Sequence, residues 1–96
     1  MTWIRTIPPE VADPALLACY QAVYSLYPPE YAGAVDAVRN ADGTSDSVVA
    51  CHSLIPEALR HMMSGLAVLY DPRLPLSRRQ HEMIATVVSA LNRCHY

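Results

Sequence analysis

Apolar residues recur along this chain at helical spacing. Leu16, Leu17, Tyr20, Val23, Tyr24 and Tyr27 stand at i, i+1, i+4, i+7, i+8 and i+11, which is one face of a helix. Asp13 followed by Pro14 predicts its start, an N-cap side chain and then a ring whose fixed φ suits the first helical position. Pro28-Pro29 stops it. Before it, Trp3, Ile4 and Ile7 form a hydrophobic anchor on an extended segment over residues 1–12, where Pro8-Pro9 forbids an early helix. After it, residues 30–39 read as a weaker helix with Tyr31, Ala34, Val35 and Val38, and residues 40–46 as a loop with an Asp-Gly turn.

The second half is more strongly patterned. A short helical turn starts at Ser47 and carries Val48 and Val49. Pro56 then opens a helix whose apolar positions Leu59, Met62, Met63, Leu66, Leu69 and Tyr70 make one stripe, with Arg60, His61 and Ser64 on the other side. Met62-Met63 read as core fillers. Asp71-Pro72 ends that helix. Ser77 and Gln80 form an S-x-x-Q capping box for a last helix over residues 78–91. Its stretch from Met83 to Leu91 holds nine residues without a charge, so this helix is expected to be buried on most sides. No segment alternates with period 2, and the predicted class is all-α, in a single domain over residues 1–96.

Composition narrows the chemistry. With 96 residues the chain buries only about 60 to 65% of the surface its unfolded form exposes, which predicts a partner subunit. Its 52% apolar and 17% charged residues describe a folding chain, and the net charge of −2, with seven basic residues that are all arginine, leaves no footprint for nucleic acid or anionic lipid. Without lysine there is no Schiff-base catalysis and no P-loop. Gly33, Gly43 and Gly65 are too widely spaced for a dinucleotide loop. No run of eighteen apolar residues exists and the opening MTWIRTIPPE is not a signal peptide, so a soluble cytoplasmic protein is expected. Cys19, Cys51 and Cys94 fit free thiols in a reducing compartment.

Candidate chemistry concentrates in the last helix and just beyond it. Glu82, Thr86, Ser89 and Arg93 follow i, i+4, i+7 and i+11, with small Ala85 and Ala90 beside them. A carboxylate at the edge of such a stripe is expected to be partly desolvated, which raises its affinity for a proton and makes Glu82 a candidate acid or base. Two metal readings fail. Cys51-His52 and Cys94-His95 offer four ligand types but not the spacing of a zinc module, and His81-Glu82 lacks the second His of H-E-x-x-H because Ala85 stands there.

The run LPLSRRQHEMIATVVSALNRCHY, Leu74 to Tyr96, resembles the core motif of the alkylhydroperoxidase/carboxymuconolactone decarboxylase superfamily, and more narrowly its peroxidase-related enzymes. TWIRTIPPE and CHSLIPEALRHMMSGLAVLYDP extend the likeness over most of the chain. The family motif is a Glu on one helix, then C-x-x-C and a His at the start of the next. Glu82 matches the Glu, Cys94 the first Cys, and His95 and Tyr96 the two intervening positions. The second Cys and the His have no counterpart in these 96 residues.

The resemblance implies an alkylhydroperoxidase-like helical bundle of which this chain is the N-terminal part, a homo-oligomer that reduces a small hydroperoxide with a dithiol reductant and without metal or other cofactor. Glu82, Cys94 and His95 would be the catalytic positions, Glu82 relaying a proton and His95 tuning the thiol. Such chemistry uses two thiols, one forming a sulfenic acid and one condensing with it. With one of the two, this chain is expected to be deficient in peroxide turnover, as a truncated product would be. Glu82 and Cys94 are twelve residues apart, about 18 Å on one straight helix, so the chain must turn near Asn92 and Arg93. The alternative reading is a non-catalytic helical module whose apolar faces are buried in a self-assembled oligomer.

Overall fold

The computed structural model describes residues 4–29 and 47–94. Trp3, the expected helix over 30–39, the loop over 40–46 and His95 lie outside the described residues. Among those described, three α-helices and two 3-10 turns are present and no strand: a 3-10 turn at Pro9–Val11, α1 at Pro14–Tyr24, a 3-10 turn at Ala50–His52, α2 at Pro56–Leu69 and α3 at Arg78–Leu91. The chain is helical, as its periodicity predicts. None of its helices is long and apolar enough to cross a membrane, among the described residues.

α1 begins where its capping residues place it. The Asp13 carboxylate accepts from the Leu16 N–H at 2.8 Å, and Pro14 occupies the first turn. The helix ends at Tyr24, short of Pro28, because Leu26 and Tyr27 donate to carbonyls three residues back at 3.0 and 3.2 Å and so tighten the last turn. Leu16, Tyr20 and Val23 are buried and face Leu59 and Met63 of α2 together with Val49, which completes the core. Ser47 starts the turn that delivers Val49: its carbonyl accepts from the Cys51 N–H at 3.1 Å, and its hydroxyl from the Ala50 N–H at 3.3 Å.

The N-terminal segment is fastened to this core at one residue. Ile7 donates its N–H to the Ser53 hydroxyl at 2.8 Å, and its carbonyl accepts from the Tyr20 hydroxyl at 2.7 Å. Ser53 and Tyr20 are both about 1% exposed, so neither polar group is buried without a partner. Burial pushes the Tyr20 hydroxyl above its ordinary pKa, and the hydrogen bond with Ser53 opposes that shift. The segment is not extended throughout. Pro9 opens a 3-10 turn, since a proline ring blocks the α-helix behind it but suits a first turn, and Val11 and Ala12 donate back to Pro8 and Pro9.

Two burial expectations are overturned. Of the pair Met62-Met63, only Met63 is core; Met62 is 57% exposed because it lies about 100° around α2 from Met63, on a side that nothing described covers. The larger correction is α3. Its bounds and capping box are as the sequence predicts, with Ser77 Oγ accepting from the Gln80 N–H and Gln80 Oε1 from the Ser77 N–H. Yet no residue of α3 is buried. Among the described residues α1 and α2 pack together, whereas α3 packs against no other element. Its apolar character therefore reflects surface left bare.

Candidate functional site

The start of α3 meets the end of α2 through side chains of the connecting segment. The Tyr70 ring, just past α2, carries the His81 ring edge-on at 5.3 Å and the Arg78 guanidinium 5.8 Å from its centroid. Arg78 and His81 reach the same ring because residues three apart share a helix face. Arg78 Nε also donates to Glu82 Oε1 at 2.7 Å, an i,i+4 ion pair. Tyr70, Arg78 and His81 border an open groove of about 800 Å³, lined also by Tyr27, Pro28 and Val68 among others. Burial pushes the Tyr27 hydroxyl upward in pKa, with smaller contributions from Tyr24 and Tyr70.

Glu82 is thus not the desolvated carboxylate that its sequence position suggests. Its side chain is 48% exposed and paired with Arg78. On the same helix the Thr86 hydroxyl donates to the Glu82 backbone carbonyl at 2.7 Å.

The other end of α3 turns the chain. Arg93 adopts φ 52°, in the left-handed region. Its N–H donates to the Ala90 carbonyl at 3.1 Å, and the Cys94 N–H to the Ser89 carbonyl at 2.9 Å. That pair of bonds is a Schellman motif, and it reverses the chain after Leu91. A position that usually takes glycine is filled by arginine, at a cost of about 1 to 2 kcal/mol. Cys94 emerges from the turn exposed, whereas Cys19 and Cys51 are partly covered; all three are free thiols.

Of the predicted site residues, Glu82 and Cys94 are not brought together, and His95 lies outside the described residues. Glu82 lies nine residues before the end of α3, about 14 Å of helical rise, beyond the roughly 3 Å reach that proton transfer to Cys94 requires. Neither Glu82 nor Cys94 lines the groove; Glu82 is joined to it by its ion pair with Arg78. Sequence reading missed the Tyr70, Arg78 and His81 cluster, although the i,i+3 spacing of Arg78 and His81 directly after a Tyr-ended helix was its visible signal. Among the described residues no group of three or more His, Cys, Asp or Glu side chains is placed to hold a metal ion. Compared with protein-family models, curated proteins and solved structures, the chain matches none of them.

Proposed function

We propose that the chain belongs to a thiol-dependent, alkylhydroperoxidase-like lineage and that Cys94 is its peroxide-reacting residue, working in the cytoplasm within a homo-oligomer. The observation that supports this most is the reversal at Arg93, which ends α3 directly before an exposed thiol, as a Glu-helix followed by C-x-x-C needs. The Cys94 thiolate attacks the O–O bond of a hydroperoxide, giving cysteine sulfenic acid and releasing an alcohol. One thiol of a dithiol reductant then condenses with the sulfenic acid, losing water, and its second thiol displaces the Cys94 thiol and closes the reductant's own disulfide. Glu82 does not touch the sulfur in this arrangement and has no step in that exchange.

The test is sulfenic-acid trapping. The 96-residue chain is treated with cumene hydroperoxide and dimedone, and the adducts are mapped by mass spectrometry. Preferential labelling of Cys94 over Cys19 and Cys51, with slow dithiothreitol-dependent peroxide consumption that Cys94→Ser abolishes, is the expected result. Equal labelling of the three thiols, or unchanged consumption in Cys94→Ser, overturns the reading. The bare apolar residues of α3 favour a second reading, in which the chain is a non-catalytic association module; that reading predicts the unchanged result.

A further inference from the structure

We infer that α3 is a self-association helix, pairing antiparallel with α3 of a second copy of this chain about a twofold axis between Val87 and Val88. Ile84, Val87, Val88 and Leu91 stand at i, i+3, i+4 and i+7 and share one side of the helix, yet each is exposed by half or more, Leu91 by 78%. The residues of α3 that are partly covered, Arg78, His81, Ala85 and Ser89, are small or polar and centre on another side. An isolated helix of 14 residues is marginal in water, and helices of this size owe their stability to a covered apolar face. This one has such a face and nothing described on it.

The sequence of the stripe points to its own copy as the cover. Read from Ile84 to Leu91 it is I-A-T-V-V-S-A-L; read backward it is L-A-S-V-V-T-A-I, the same class of side chain at every position. A twofold interface needs a surface complementary to itself in reverse, and such a palindrome provides one. Antiparallel pairing sets Ile84 against the partner subunit's Leu91 and Val87 against the partner's Val88. Ala85, Ala90, Thr86 and Ser89 flank the stripe with little bulk, so the two helices can approach closely. No charge interrupts the stripe, and the nearby Arg78 and Glu82 are paired within their own chain.

Sedimentation equilibrium under reducing conditions tests this. The chain is expected at about 21 kDa, twice its 10.6 kDa mass, at tens of micromolar. Val88→Glu is expected to weaken the dimer by about 100-fold or more and bring the mass to that of one chain, with the α1–α2 unit still helical by circular dichroism. Val87→Lys alone is expected to do the same. An equimolar mixture of the two variants is expected to recover the doubled mass, because only antiparallel pairing sets position 87 against position 88. A monomeric chain at 100 micromolar overturns the inference. So does a dimer indifferent to Val88→Glu, or a mixture that stays monomeric. Cys94→Ser leaves all of these masses unchanged, so failure of the peroxidase reading and failure of this one are told apart.

Discussion

The α1–α2 unit and α3 are built from similar material with opposite results. Both contain apolar stripes at helical spacing, both have a side chain capping a helix start, and α3 is as long as α2. In the first unit the stripes of two helices meet, and Leu16, Tyr20, Val23, Leu59 and Met63 close into a core that Ile7 and Ser53 fasten on one side. In the second the helix is complete but, among the described residues, packs against no other element. Helix formation and helix burial are therefore separate outcomes: capping and periodicity settle the first, and a facing partner settles the second.

The sharpest way to break this contrast is to truncate one leucine in each region. Leu59 is wholly buried, and Leu59→Ala is expected to cost about 2 to 5 kcal/mol, because the cavity adds to the lost transfer energy. Leu91→Ala is expected to change stability by less than about 0.5 kcal/mol in dilute solution, where the side chain is solvated in both states. With rising protein concentration its cost should grow, whereas that of Leu59→Ala is present throughout. Urea unfolding at two protein concentrations checks both expectations. A large cost for Leu91→Ala at high dilution would mean that α3 is covered within its own chain.

Capping sharpens the comparison at a smaller scale. Asp13 and Ser77 both accept from the backbone N–H three residues ahead, and removing either by an alanine substitution is expected to cost about 1 kcal/mol. The cost should appear in different places. Asp13→Ala lowers the cooperative unfolding free energy, since α1 unfolds with the core. Ser77→Ala speeds amide hydrogen exchange in α3 while α1 and α2 keep their protection, as expected of a helix that opens locally. Equal loss of protection across all three helices in Ser77→Ala would join α3 to the core.

These two regions also differ in how legible they were. Helix starts at Asp13-Pro14, Pro56 and Ser77 are local events, encoded by a cap or a ring within a few residues, and each stands where the sequence places it. The reversal at Arg93 also stands where the sequence reading expects a turn, although it does not bring Cys94 within reach of Glu82. Burial was not. Met62 and Met63 look alike in sequence, and which one is covered depends on what stands opposite α2. Nine uncharged residues in α3 signal a face that wants covering without saying what covers it. The desolvation expected of Glu82 failed for the same reason: desolvation is a property of neighbours that the local pattern does not contain, and the side chain is 48% exposed beside Arg78. The Ser53 and Tyr20 clasp on Ile7 spans 46 and 13 residues and leaves no periodic trace.

The smallest expected effect lies in the segment joining the two regions. Asp71 accepts from Arg73 through its backbone N–H and its guanidinium, at 2.9 Å to Oδ1 in both cases, and a further guanidinium nitrogen donates to Oδ2. The Arg73 side-chain bond is the main cause, with its backbone N–H next, of a carboxyl pKa held at about 2 rather than 3.8. Since the folded value is the lower one, whatever the pair contributes to stability is present above 3.8 and is lost as pH falls through 2. The side chain of Arg73 is 88% exposed, so solvent and salt screen the pair and its stabilising effect is small. The measurable consequence is the titration itself. Carboxyl carbon NMR should place the Asp71 midpoint near 2, and Arg73→Ala should move it back toward 3.8 without altering the exchange protection of either α1 or α3. A wild-type midpoint already near the ordinary value would show that the joint is open in solution. A loss of α3 protection in Arg73→Ala would show instead that this short segment, and not a facing helix, holds the two regions in register.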